Sequence, residues 1–160
     1  EPGTPTRIDV DASTIALVDQ HGRRASLAEF RGRTVLLTFA FGHCATVCPM
    51  IVHDVRTVRA TVNRPEVPLV VMTLDPWRDT PERLPALAGQ WGLAAEDRVL
   101  SGDVAEVEHA LDALGIGRRR DDRTGDIAHS GTVMIVDQRG HVVWRLDGGW
   151  GRLGKLLARQ

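Results

Sequence analysis

The feature that most constrains the fold is an uninterrupted apolar run, Thr34–Phe41, which leads directly into two closely spaced cysteines. Its residues favour β-strands, and a strand without polar alternation is typical of a sheet that is buried on both faces. A second run of the same kind covers Leu69–Leu74. The two runs therefore predict the central strands of a sheet with a parallel part.

Helical patterns alternate with these strands. A first helix is predicted from Pro49, with proline at its first position and an apolar stripe at helical spacing. A second helix is predicted from Thr80-Pro81, and Pro85 should make its first turn irregular. A third begins at Asp103, where Glu106 three residues later resembles a capping box. The last helix is short and carries Leu153, Leu156 and Leu157. This alternation predicts an α/β protein with helices on both faces of the sheet.

The remaining segments predict hairpins and loops. Residues 1–13 are expected to be an extended lead-in, and Ile15–Val18 a strand that enters a turn. Thr132–Val136 and Val142–Leu146 flank a turn of similar sequence and predict a hairpin. The arginine-rich segment 117–125 has no hydrophobic periodicity, so a solvated loop is expected there, with a partner-docking loop as the alternative. A single domain covering residues 14–160 follows.

Composition excludes several classes of protein. The chain has 160 residues, of which 42% are hydrophobic and 26% charged, as in globular proteins. A net charge of -1 argues against a nucleic-acid binder. No apolar run is long enough to span a bilayer. Two cysteines are too few for a closed structural zinc site unless histidines complete it.

Those two cysteines, Cys44 and Cys48, carry the chemistry. They lie where a predicted strand becomes a helix, which is where ligand sites are found in such sheets. Unpaired N–H groups at a helix start stabilise a thiolate, so a lowered thiol pKa is expected there. Thiolate is the form that attacks disulfides and binds metals. A disulfide, a soft-metal site and inert core cysteines all remain open on this reasoning.

Three motifs in order resemble one family. Phe39–Pro49 resembles the Phe-x-x-Thr-x-Cys-x-x-x-Cys-Pro segment of Sco/SenC proteins, which are thioredoxin-like copper chaperones for cytochrome c oxidase assembly. Leu74–Pro81 is similar to the family's Asp-Pro-x-Arg-Asp-Thr-Pro stretch. Ala128–Ser130 matches its downstream His-Ser, placed just before a strand. The resemblance extends over residues 12–158.

The resemblance implies a thioredoxin-like fold, with a central mixed β-sheet flanked by helices and an N-terminal β-hairpin extension. It also implies that Cys44, Cys48 and His129 are copper ligands. Two thiolates and an imidazole form a soft ligand set suited to Cu(I), and Cu(II) is a further candidate. The implied function is a metallochaperone that delivers copper to the binuclear copper centre of an oxidase subunit. The implied partners are that subunit and a copper donor protein.

Two other functions use the same fold. Cys44 and Cys48 could instead be the redox pair of a thiol–disulfide oxidoreductase that keeps the oxidase cysteines reduced. The three-residue spacer and His129 favour copper over this alternative, because thioredoxin-type redox sites have a two-residue spacer. A thiol peroxidase is less favoured, since its polar constellation cannot be placed around Cys44. Asp75 and Asp79 are expected to shape the site, to contact a partner, or to serve as turn and capping residues.

The resemblance also implies a location outside the cytoplasm, on the periplasmic face of a bacterial inner membrane or facing the mitochondrial intermembrane space. Family members carry an N-terminal membrane anchor, so the chain is expected to be a soluble domain trimmed of its anchor. In an oxidising compartment the cysteines would form a disulfide when no metal is bound. A monomer with no nucleic-acid partner is expected.

Overall fold

A computed structural model describes residues 3–43 and 47–160, without the side chains of residues 47–49. In this part of the chain the strands are β1 (Thr6–Asp11), β2 (Ala16–Val18), β3 (Arg24–Ser26), β4 (Val35–Ala40), β5 (Leu69–Thr73), β6 (Arg98–Leu100), β7 (Arg118–Arg120), β8 (Ile127–His129), β9 (Thr132–Val136) and β10 (His141–Asp147). The α-helices are α1 (Val47–Thr61), α2 (Leu84–Gln90), α3 (Val104–Ala113) and α4 (Gly151–Ala158). None of these helices is long and apolar enough to cross a membrane.

Six strands form one mixed sheet in the order β1-β10-β9-β4-β5-β6. β4, β5 and β6 are parallel, whereas β9 runs antiparallel to β4. Every residue of β4, β5 and β9 is buried, as the continuous apolar runs predict. The predicted mixed sheet and the N-terminal hairpin, formed by β2 and β3, are both confirmed. Because three strands lie on one side of β4 and two on the other, β4 is a central strand of the sheet, and the residues that follow it leave from the middle of one edge.

The helix after β4 begins at Val47, two residues before the predicted start at Pro49. Proline is tolerated there because first-turn N–H groups have no partner within the helix. At its other end the chain reverses at Asn63, which adopts a φ of 54°. Pro85 does disturb the start of the second helix. A 3₁₀ turn at Pro81–Arg83 precedes α2, so the regular helix begins only at Leu84.

A buried ion pair fixes α1 to the strands behind it. The Arg59 guanidinium donates to both carboxylate oxygens of Asp97, over 2.7 and 3.0 Å. Asp97 also accepts a hydrogen bond from the Leu69 N–H at 2.9 Å, at the start of β5. Both charged side chains are almost completely buried. Hydrophobic patterning does not predict this pair, because its partners are far apart in sequence.

The lead-in is extended as predicted, and its residues Thr6–Asp11 form β1, which pairs with β10 at the edge of the sheet. Two other local expectations differ from the structure. The Asp103–Glu106 capping box is wrong: the Asp103 side chain makes no capping hydrogen bond, and Glu106 instead pairs with Arg24 at 2.9 Å. The solvated loop expected at 117–125 is also wrong, because its first residues form β7.

The arginine-rich segment forms a hairpin through backbone and ionic contacts. β7 pairs with β8, and Arg118 lies opposite His129. The turn closes through a bond from the Asp121 N–H to the Asp126 carbonyl, at 2.8 Å. On the body side, Arg118 forms ion pairs with Glu108 and Asp112 from α3. β7 consists of three arginines, so hydrophobic periodicity cannot indicate that it forms a strand.

Candidate metal centre

The predicted ligands fall partly within the described residues. His129 is the last residue of β8 and is half-buried. Cys44 lies outside the described residues. Cys48 is the second residue of α1, and its side chain lies outside them as well. Three described parts of the chain adjoin the predicted ligands in sequence or contact His129 and its neighbours: the end of β4, the first turns of α1, and the connection between β8 and β9.

The end of β4 contacts the predicted histidine directly. Phe41 follows β4, is buried, and comes three residues before Cys44. Its ring meets the His129 imidazole edge-on, with ring centroids 5.8 Å apart and an interplanar angle of 70°. Consecutive Cα atoms are about 3.8 Å apart, so three residues can span little more than about 11 Å. His129 therefore lies beside the segment that leads to Cys44.

The first turns of α1 contact the residues just after His129. A Cβ placed on Gly131 would lie 3.2 Å from Cδ1 of Ile51 and 3.6 Å from Cζ2 of Trp150. Ile51 comes three residues after Cys48 in the same helix. Gly131 thus packs closely against α1, and a larger residue would push the two apart. The fold brings the chain around His129 to the helix that carries Cys48.

A backbone contact orients the imidazole of His129. Its Nδ1 lies 2.9 Å from the carbonyl oxygen of Ser130. A carbonyl oxygen only accepts hydrogen bonds, so Nδ1 carries the hydrogen in this contact. In the neutral ring the lone pair then resides on Nε2. Metal-binding histidines commonly donate their other ring N–H to a carbonyl in this way.

Asp79 holds the backbone at Gly42, two residues before Cys44. One of its carboxylate oxygens accepts hydrogen bonds from the Gly42 N–H at 3.1 Å and from the Thr73 hydroxyl at 2.6 Å. Burial raises the pKa of Asp79 above its ordinary value, although these two hydrogen bonds oppose the shift. Of the roles that the sequence allows for Asp79, the observed contacts fit the shaping of the site.

Asp75 and Arg78 connect the same loop to the hairpin that carries His129. Asp75 is fully buried and accepts a hydrogen bond from Nε of Arg78. Nη2 of Arg78 donates to the carbonyl oxygen of Gly125, in the turn between β7 and β8. Sequence reasoning places Arg78 in a family motif but gives it no role. That motif is the one signal that could have found it, because Gly125 lies 47 residues away.

The other described histidines take no part in these contacts. Nδ1 of His141 lies 2.7 Å from Asp9, which links β10 to the edge strand β1. His21 lies in the turn between β2 and β3, and His109 lies on α3. His43 and His53 are exposed, the first directly after Gly42 and the second on α1.

A mixed sheet with helices, in which the central strand β4 is followed in sequence by two closely spaced cysteines and by helix α1, defines a thioredoxin-like protein. The sequence profile of the SCO1/SenC family matches residues 10–151. The chain belongs to the SCO1/SenC family.

Curated relatives agree with this assignment. A protein of Stutzerimonas stutzeri whose name describes it as copper-binding is 30% identical over 146 residues, which cover 84% of this chain and 71% of the relative. The mitochondrial SCO2 homolog of Homo sapiens is 30% identical over 137 residues, which cover 78% of this chain. The matched part is only 49% of the human protein, so the chain spans about half of that relative's length.

Solved structures confirm the predicted thioredoxin-like fold. Bradyrhizobium japonicum ScoI with copper bound superposes with a TM-score of 0.74 at 22% identity, over 99% of this chain and 96% of that one. BsSco superposes with a TM-score of 0.77 at 18% identity, over 96% and 92%. That structure is described as revealing a disulfide switch in a member of the Sco family of cytochrome c oxidase assembly proteins. Copper, the predicted metal, is named for the Stutzerimonas stutzeri relative and is bound in the Bradyrhizobium japonicum structure.

Proposed function

We propose that this chain is a copper metallochaperone that holds copper through Cys44, Cys48 and His129. It delivers the metal to the binuclear copper centre of cytochrome c oxidase. One observation carries the proposal: Phe41, which follows β4 and comes three residues before Cys44, packs against the His129 ring. The close approach of Gly131 to Ile51, on the helix that contains Cys48, supports it. Membership of the SCO1/SenC family and the copper-binding relative support it.

The proposed ligands suit the metal and the task. Two thiolates and one imidazole form a soft donor set that prefers Cu(I) to magnesium or calcium. The Ser130 carbonyl, which takes the Nδ1 hydrogen, leaves Nε2 of His129 as the donor atom. The ligands come from two elements, the β4–α1 segment and the end of β8. A partner can then replace them one at a time, which a carrier of copper requires.

An anaerobic titration of the reduced protein with Cu(I), in competition with a chromophoric chelator, tests the ligand set. We expect one tightly bound equivalent. His129→Ala should weaken binding by more than about tenfold, because even outer-shell partners of a metal ligand change affinity by about 10- to 100-fold. His53→Ala is the matched control, since His53 is an exposed histidine on the helix of Cys48. Equal affinities for wild type and His129→Ala would refute the role of His129.

A thiol–disulfide oxidoreductase is the second candidate, and the disulfide switch described for BsSco favours it. In this reaction Cys44 and Cys48 become a disulfide while a disulfide of the oxidase subunit becomes two thiols. The test mixes the protein with an oxidised or a reduced peptide that carries the copper-site cysteines of the subunit. Copper transfer to the reduced peptide supports the chaperone. Reduction of the oxidised peptide by the metal-free protein, without copper transfer, supports the reductase.

The proposed place of action is outside the cytoplasm, on the periplasmic face of a bacterial inner membrane or in the mitochondrial intermembrane space. The mitochondrial relative supports such a location. The proposed partners are the copper-bearing oxidase subunit and a protein that donates copper.

A further inference from the structure

The hairpin that carries His129 contacts the rest of the protein through the buried side chain of Ile127 and through charged and aromatic side chains. β7 and β8 form a two-stranded sheet of their own, apart from the six-stranded sheet. A two-stranded hairpin is marginally stable by itself, so its orientation depends on what holds it. On one side Arg118 pairs with α3. The loop after β5 adds contacts from two consecutive residues, Trp77 and Arg78.

Arg78 makes the more specific of these two contacts. Its guanidinium bridges the buried Asp75 carboxylate and the Gly125 carbonyl. Gly125 has a φ of +72°, and a Cβ there would lie 2.7 Å from Nη1 of Arg78. The guanidinium therefore occupies the space that a side chain at residue 125 would need. Next to it, the Arg120 guanidinium lies 4.5 Å from the centroid of the Trp77 ring.

We propose that Arg78 is a positioning residue for His129. Asp75 fixes the guanidinium, the guanidinium fixes the turn of the hairpin, and the hairpin presents the His129 ring to Phe41 and to the cysteine segment. The proposal rests on the proposed function insofar as it concerns copper. An arginine is required because its planar fork can serve the carboxylate and the carbonyl together, whereas a lysine ammonium is a single point charge.

Arg78→Lys is the first test. Lysine keeps a positive charge beside the buried Asp75, so the carboxylate is not left unpaired, but the bridge to Gly125 is lost. We expect Cu(I) affinity to fall by about tenfold, the low end of the range for residues that orient a metal ligand. Arg119→Lys is the matched control, because Arg119 is exposed on the same hairpin. It should leave the affinity unchanged.

Gly125→Ala perturbs the same contact from the hairpin side and serves if Arg78→Lys folds poorly. Gly22→Ala is its control: Gly22 has a φ of +73°, but a Cβ placed there would have no atom within 4 Å. Both alanines would have to adopt nearly the same positive φ, so a loss of affinity beyond that of Gly22→Ala reports the collision with Arg78. We expect that loss in Gly125→Ala alone.

A readout without copper separates this proposal from the proposed function. In the reduced, metal-free protein, NMR cross-relaxation between the Phe41 and His129 rings should weaken in Arg78→Lys and in Gly125→Ala. The amides of the hairpin turn should also exchange faster with solvent. If the ring contacts and the amide exchange are unchanged in both variants, the positioning role is overturned, even if the Cu(I) affinity falls. If ring contacts weaken while His129→Ala leaves Cu(I) affinity intact, the positioning role stands and the ligand role of His129 fails.

Discussion

Replacing Gly42 with alanine tests how tightly the chain is held as it enters the candidate metal centre. A Cβ at this position would lie 2.7 Å from Cδ2 of Leu87 and 3.0 Å from Oδ1 of Asp79. Carbon atoms in ordinary contact are about 3.5–4.0 Å apart. Gly42 is not among the glycines with positive φ, so the cost of the substitution is steric. Leu87 is 6% exposed and has little room to move away.

The magnitude follows from the cost of overpacking a buried site. One methyl group forced into a filled site costs about 1–3 kcal/mol. In a chain of this length each kcal/mol lowers Tm by about 2–4 °C. We therefore expect Gly42→Ala to lower the free energy of unfolding by about 1–3 kcal/mol and the Tm by about 2–12 °C.

Urea denaturation of the reduced, metal-free protein measures this loss. Gly89→Ala is the matched control, because Gly89 lies on α2 close to Leu87 in sequence and has nothing within 4 Å of a Cβ. There the better helix propensity of alanine should raise stability by about 0.5–1 kcal/mol. A double-mutant cycle with Leu87→Ala should show that Gly42→Ala costs less once the leucine is gone, with a coupling energy of about 0.5–3 kcal/mol.

Two results would contradict the steric argument. The first is a Gly42→Ala protein as stable as wild type, which would mean that the backbone shifts without cost. The second is an equal loss in the Leu87→Ala background, which would place the cost elsewhere than in the contact with Leu87.

Two further predictions concern buried charges. Arg59→Ala should lower the free energy of unfolding by about 3–5 kcal/mol, since it leaves the Asp97 carboxylate buried without its partner; urea denaturation measures it, and a loss below about 1 kcal/mol would contradict the argument. Burial raises the pKa of Asp79, so the folded protein binds this proton more tightly than the unfolded chain. The resulting stabilisation is complete below the ordinary pKa of 3.8 and is lost as pH rises through the raised pKa. The free energy of unfolding of wild type should therefore fall relative to that of Asp79→Asn as pH rises from the acid range to neutrality. A difference between the two proteins that does not change with pH would contradict the raised pKa of Asp79.

The elements that sequence predicts correctly are those whose residues carry their own signal. β4 and β5 are continuous apolar runs, and burial on both faces follows from that pattern alone. The terminal helix α4 is short, but its leucines occur at helical spacing and are buried as expected. Pro85 indicates an irregular helix start because its missing N–H is a local property.

The elements that sequence misses depend on partners far along the chain. β1 pairs with β10, which lies about 130 residues later. The sequence at Asp103 and Glu106 matches a capping box, but in the folded protein Glu106 forms an ion pair with Arg24 from β3. β7 has no apolar periodicity, and it forms because Glu108 and Asp112 neutralise Arg118 while the backbone pairs with β8. Rules that use only neighbouring residues in the sequence do not predict these contacts.

The same distinction explains why the candidate site is only partly visible in the sequence. Cysteines and a histidine are recognised by residue type, whereas the groups that would set their geometry are ordinary loop residues. In the loop after β5, Asp79 holds the backbone at Gly42, and the adjacent Arg78 holds the hairpin at Gly125. One loop thereby fixes both segments from which the proposed ligands come. If copper is to leave by stepwise exchange, the ligands cannot be locked by the metal alone, so their spacing must be maintained by contacts that persist when the metal has gone. Hydrogen bonds to backbone groups meet this requirement, because they do not depend on the state of the cysteines.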